Sequence, residues 1–143
     1  MKKILFPFFL VLLIFLASCD SNNSGGTVVA PGDTDAYIID AALCTGITNN
    51  FPSGITNNFY TGDKVNLWIH WANVTKGQRV TVEWWTPGNS KTSEYTSQFQ
   101  STASKQISIH YLDLGSFAST GEWVAKVYLD DKFIRSYLFI VGS

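Results

Sequence analysis

The sequence predicts an all-β protein: a two-sheet antiparallel sandwich of about seven or eight strands, built from residues 36–143. Three observations carry this. Apolar and polar residues alternate at a period of two in several separate runs. Turn-forming residues punctuate the runs at short intervals. Seventeen aromatic residues fall in this segment, which gives a domain of about a hundred residues enough large apolar side chains to fill a core.

The runs come in chain order. Strand candidates open at 36–43. In 64–71, Val65, Leu67, Ile69 and Trp71 share one face, and Asn66, Trp68 and His70 the other. In 79–85, Val80, Val82 and Trp84 alternate with Thr81, Glu83 and Trp85, which makes Trp84 the expected core tryptophan. A further strand is expected at 93–99. In 105–111, Ile107, Ile109 and Tyr111 form the apolar set, and Gln106, Ser108 and His110 the polar one. In 122–129, Trp123, Ala125, Val127 and Leu129 alternate with Val124, Lys126 and Tyr128. The last run, 132–141, is apolar on both faces. The separators are Tyr60-Thr61-Gly62-Asp63, Thr75-Lys76-Gly77, Thr86-Pro87-Gly88-Asn89, Ser119-Thr120-Gly121 and Asp130-Asp131, the last a tight hairpin. Residues 112–118 have room for a helical turn. The hexapeptide Gly46-Ile47-Thr48-Asn49-Asn50-Phe51 recurs as Gly54-Ile55-Thr56-Asn57-Asn58-Phe59. A period of eight is too short for a solenoid or propeller. The expectation is a duplicated loop anchored by Phe51 and Phe59, with paired edge segments as the alternative.

The N-terminus is organised differently. Lys2 and Lys3 precede an apolar run of 13 residues from Ile4 to Leu16. As a helix this run reaches only about 20 Å, short of the roughly 30 Å hydrocarbon core, so a secretory signal fits better than a membrane span. The run closes on Leu16-Ala17-Ser18-Cys19, which resembles the lipobox of a bacterial lipoprotein signal peptide. The resemblance implies removal of residues 1–18, lipid attachment at Cys19 and a membrane anchor through its acyl chains. Residues 19–35 then read as the lipidated cysteine and a flexible tether rich in Ser, Asn, Gly and Asp. Processing would remove two lysines, leaving eight basic residues against eleven acidic ones, a net charge of −3. A nucleic-acid partner is not expected at that charge.

A second resemblance covers about half of the mature chain. The segments GDKVNLWIHWANVTKGQRVTVEWWTPGN and TGEWVAKVYLDDKFIRSYLFIVG look like the Ig-like domains of unknown function found in bacterial exported proteins. The shared pattern is a strand ending in Trp, a Gly turn, a Trp-bearing strand followed by Pro-Gly, and Gly-Glu-Trp opening a final hairpin. It implies an Ig-like sandwich with an accessory or binding role, and it transfers no catalytic residue.

The chemistry-bearing residues are few. Cys44 is the only thiol left once Cys19 is acylated, so no disulfide can form within the domain; a buried, inert thiol is the expectation. His70 and His110 are the only histidines. In an Ig-like strand order their strands are neighbours, and the two rings could lie side by side with Trp68. Two imidazoles without an obvious third ligand make a poor metal site, so neither a metal nor a cofactor is expected. Trp68, Trp85 and Tyr128 fall on expected outer faces, where they either bind a partner or a glycan or are covered by loops. No Gly-x-Ser-x-Gly, His-Glu-x-x-His, P-loop or Gly-x-Gly-x-x-Gly occurs, and the chain reads as non-enzymatic. The expected role is that of an envelope lipoprotein on the extracytoplasmic side of a bacterial membrane, presenting its sandwich to a protein partner. Trp68, His70, Trp85, His110 and Tyr128 are the candidate contact residues, and glycan or cell-wall binding is the alternative.

Overall fold

The computed structural model describes residues 35–143. They belong to a compact unit, Gly32–Ser143. The signal peptide, Cys19 and all of the tether but Asp35 lie outside the described residues. The strands are β1 (Tyr37–Thr48), β2 (Phe51–Ile55), β3 (Asn58–Tyr60), β4 (Lys64–Val74), β5 (Arg79–Trp85), β6 (Lys91–Gln98), β7 (Ala103–Asp113), β8 (Gly121–Leu129) and β9 (Lys132–Gly142). They form a four-stranded sheet in the order β2-β1-β4-β7 and a five-stranded sheet in the order β3-β9-β8-β5-β6. The architecture is the expected all-β sandwich.

The core lies between the sheets. Val65, Leu67, Ile69 and Trp71 of β4 face Val80, Val82 and Trp84 of β5 and Trp123, Ala125 and Val127 of β8, all buried as the alternation requires. Phe139 of β9 packs its ring against Phe59, Trp84 and Trp123 at centroid distances of 5.6, 6.0 and 6.0 Å. Among the described residues every member of this cluster lies between Ala36 and Val141, so the unit has a core of its own, as a domain able to fold alone requires. Asp130 and Asp131 both take positive φ (48° and 67°) and make the tight hairpin between β8 and β9.

Four details differ from the expectation. The described strands number nine, because the repeated hexapeptide contributes two short ones. Its two copies are neither one duplicated loop nor two equivalent edges. Asn49 and Asn50 have φ of 51° and 64° and turn β1 into β2 on the four-stranded sheet, whereas Asn57 and Asn58 carry the chain across to β3 on the five-stranded sheet. Phe59 is 1% exposed and anchors the core, but Phe51 is 63% exposed and is no part of the core among the described residues. Second, β3 pairs with β9 in parallel, so the five-stranded sheet is mixed. Third, residues 112–118 hold no helix; one turn closes with Ala118 N–H on the Gly115 carbonyl at 3.0 Å.

The fourth difference is the orientation of β7. Ile107, Ile109 and Tyr111 point outward, and Ser108, His110 and Leu112 point into the sandwich. The register with β4 fixes this: Leu67 pairs with His110 and Ile69 with Ser108, while Trp68 pairs with Ile109 and His70 with Ile107. The physical reason is twofold. Trp71 is fully buried, and its indole N–H finds an acceptor in Ser108 Oγ at 2.9 Å. On the other side, Ile107 and Ile109 are half-buried beside Trp68 and so are not left fully exposed.

Candidate functional site

Beyond Cys44, strand β1 leaves β4 and pairs only with β2. The pair forms a hairpin whose tip reaches the outer face of the four-stranded sheet. There Trp68 Nε1 donates to the Asn50 carbonyl at 2.8 Å. Trp68 is thereby 5% exposed, although its strand position faces outward. Asn66 Nδ2 donates to the Cys44 carbonyl at 3.3 Å and fastens the base of the hairpin. Between the tip and β7 lies an open concavity of about 460 Å³, lined by Asn50, His70, Lys105, Gln106, Ile107 and Ile109. Its lining combines an imidazole and an ammonium with two isoleucines.

The outer face of the five-stranded sheet carries a second cluster. Glu83 is its hub. Its Oε2 accepts from Trp85 Nε1 and from the Tyr128 hydroxyl, each at 3.0 Å, and its Oε1 accepts from Lys91 Nζ at 3.2 Å. Lys91 also bonds Glu94. Burial works to raise the Glu83 pKa, but the bonds from Trp85, Lys91 and Tyr128 more than offset it and leave it below the ordinary carboxylate value. Burial, and then the Glu83 bond, push the Tyr128 hydroxyl upward. Lys126 Nζ lies 3.7 Å from the centroid of the Trp85 ring and covers one face of it. Beside this cluster is a polar concavity of about 320 Å³ that includes Arg79, Thr81, Thr96, Tyr128 and Asp131.

The five candidate contact residues therefore do not converge. Trp68 and His70 share the outer face of the first sheet, their ring centroids 5.8 Å apart. Trp85 and Tyr128 share the outer face of the other sheet. His110 belongs to neither surface, because it is fully buried between the sheets. The expected neighbouring of the two histidines is overturned: β4 and β7 are adjacent, but the register puts the two rings on opposite faces of their sheet. Among the described residues no three His, Cys, Asp or Glu side chains gather as metal ligands.

His110 sits instead in a core network. Its Nε2 lies 3.2 Å from Ser108 Oγ, its ring meets Tyr95 edge-on at 5.8 Å, and its buried Nδ1 has no partner among the described residues. Burial pulls its pKa down to about 4. Cys44 is fully buried, and burial raises its thiol above the ordinary value, as an inert thiol requires. Sequence reasoning missed Glu83, Lys126, Asn50 and Lys105 as site-forming residues. Glu83 had one local signal, a lone carboxylate between two buried residues of a cleanly alternating strand. Its partners became visible only once β6 and β8 were seen on either side of β5.

No family model matches the chain, and no curated protein matches its sequence. Solved structures do match its fold. An immunoglobulin-like protein from Pseudomonas aeruginosa is similar with a TM-score of 0.56 at 12% identity, over 76% of this chain and 97% of that one. The C-terminal domain of wzt is similar with a TM-score of 0.54 at 9% identity, over 76% of this chain and 74% of that one. At such identities the likeness is one of fold, and the fold of residues 35–143 is an immunoglobulin-like β-sandwich.

Proposed function

We propose that the protein is a non-enzymatic binding module of the bacterial cell envelope, held at a membrane by lipid on Cys19 and engaging a protein partner through the outer face of its four-stranded sheet. The lipobox-like Leu16-Ala17-Ser18-Cys19 and the polar segment after it support the anchor. One observation carries the choice of surface: the hairpin tip is tied down on Trp68, so the concavity beside His70, Lys105, Ile107 and Ile109 exists before any ligand arrives. Preformed sites bind without an ordering cost. The lining suits a peptide that offers apolar side chains and a carboxylate. A photo-crosslinking residue at His70 in intact cells should capture a discrete envelope protein, and the same residue at Thr96 on the opposite sheet should not. Equal capture from both positions, or none from His70, defeats this reading.

A glycan-binding role is the second reading, and the polar concavity of the five-stranded sheet favours it. Carboxylates, threonine hydroxyls and the Tyr128 ring together suit a hydroxyl-rich ligand. Trp68 offers no free face, and Trp85 has Lys126 on one of its two. Tryptophan fluorescence titrated with cell-wall oligosaccharides should shift, and the shift should be lost on Tyr128→Ala. A flat response removes this reading.

A further inference from the structure

We infer that the free edge of β7 is a homodimer interface: two copies of this chain pair antiparallel along β7, about a two-fold axis through Ile109. The inference goes beyond the reading above, because it needs no second protein.

β7 is the terminal strand of its sheet, eleven residues long, and β4 pairs with only one of its edges. Among the described residues no strand pairs with its other edge, which leaves a row of backbone N–H and C=O groups that an extended strand satisfies at once. The contrast with β6, the terminal strand of the other sheet, is informative. β6 carries Lys91 and Glu94 within an otherwise polar run, and its pairing with β5 has a register shift at Trp84 and Trp85. Internal charges and bulges are how sheets protect an edge. β7 has no register shift against β4, no proline and no glycine, and from Gln106 to Leu112 it carries no charged Lys, Arg, Asp or Glu.

The side chains choose the occupant. With Ile109 on the axis, the outward row of one copy meets that of the other as Lys105 opposite Asp113, Ile107 opposite Tyr111, and Ile109 opposite itself. Every position is matched in kind, and the charge pair occurs twice, once at each end. Shifting the axis by one position to His110 sets Ile107 against Asp113; shifting it to Ser108 leaves Asp113 opposite Ala103. Isologous pairing of this sort is the commonest route to a closed dimer.

The test uses purified residues 32–143. Sedimentation should show a reversible dimer at concentrations up to about 0.5 mM. Lys105→Glu or Asp113→Lys should each weaken association roughly tenfold by placing like charges opposite each other twice, and the double reversal should restore it. Lys105 is exposed; Asp113 is exposed too but bridges Lys64 of its own chain at 3.5 Å, so urea unfolding of each variant accompanies the sedimentation and Lys105→Glu, which breaks no bridge within the chain, is the deciding variant. Register is read independently by cysteine. Across the axis, paired Cα atoms lie about 4.5–5.5 Å apart, within disulfide reach. Ile109→Cys should therefore crosslink to itself when diamide takes up the two protons and two electrons. Ile107→Cys should not, because the two copies of that position are about 13 Å apart along the strands. A monomer at every concentration, a dimer indifferent to both single reversals, or equal crosslinking at the two cysteines overturns the inference. So does capture of another protein's strand on β7 by a domain that stays monomeric.

Discussion

The indole N–H of Trp68 donates to the main-chain carbonyl of Asn50 at 2.8 Å, and this bond fixes the first hairpin over the sheet that carries Trp68. An outward-facing tryptophan thus becomes a buried tether point. Trp68→Phe keeps most of the apolar contact and removes the donor. It should cost about 1 kcal/mol in urea unfolding, and backbone amides around Asn49 and Asn50 should lose hydrogen-exchange protection while those of β8 keep theirs.

The two copies of the hexapeptide make a matched experiment, because the same residue type sits in the same local sequence. Phe59 is 1% exposed and touches Phe139, whereas Phe51 is 63% exposed. Phe59→Ala should destabilise the domain by about 3–5 kcal/mol. Phe51→Ala should stay within about 0.5 kcal/mol of the parent. Thermal unfolding of the two variants side by side checks both values.

His110 makes stability depend on pH, and the sign is fixed by its depressed folded value. Its folded pKa is about 4 against an ordinary 6.5, so below 6.5 the unfolded chain takes up a proton that the folded chain refuses. Its contribution is complete above about pH 6.5 and declines as pH falls toward 4, by roughly 1.4 kcal/mol per pH unit and about 3 kcal/mol in all. Urea midpoints measured between pH 7.5 and 4 should show this slope. His110→Leu should flatten it, even though Leu also forfeits the contact with Ser108.

Glu83 holds three donors on the outer face of the second sheet, and its side chain is only 16% exposed. Glu83→Ala should cost about 1–3 kcal/mol, since the Trp85 and Tyr128 donors lose their common acceptor. Glu83→Gln keeps an acceptor oxygen and should cost less. Because the Glu83 pKa lies below its ordinary value, its contribution is present above about pH 4.5 and is lost as pH falls through the folded value. Differential scanning calorimetry of both variants separates the lost charge from the lost acceptor.

Much of the fold was legible from local pattern. β5 was bounded to the residue, β8 to one residue at its N-terminal end, and β4 and β9 to within a few at their C-terminal ends, because buried and exposed residues alternate cleanly there and Gly, Pro or Asp-Asp turns close them. The hairpin at Asp130-Asp131 was legible because few residue pairs tolerate two successive positive φ values. The candidate site was much less legible. Trp68, His70, Trp85 and Tyr128 were correctly placed on outer faces, but what covers Trp68 and what binds Trp85 are cross-strand facts. β7 misled because its isoleucines form the more apolar row, yet they lie outside, Ile109 opposite Trp68 and Ile107 opposite His70, while Ser108 and His110 turn in toward Trp71 and Tyr95.

By itself, then, the sequence determined that this region folds as pleated strands, which turns separate them, and that Trp71 and Trp84 fill the interior; period-two alternation and turn chemistry act within a few residues and need no neighbour to be read. Tertiary structure alone decided which strand lies beside which, that two identical hexapeptides part to different sheets, which way β7 faces, and that β7 ends its sheet among the described strands. Those outcomes depend on pairing register, where a shift of one residue exchanges the two faces of a strand, and register is set by contacts between segments far apart in the chain.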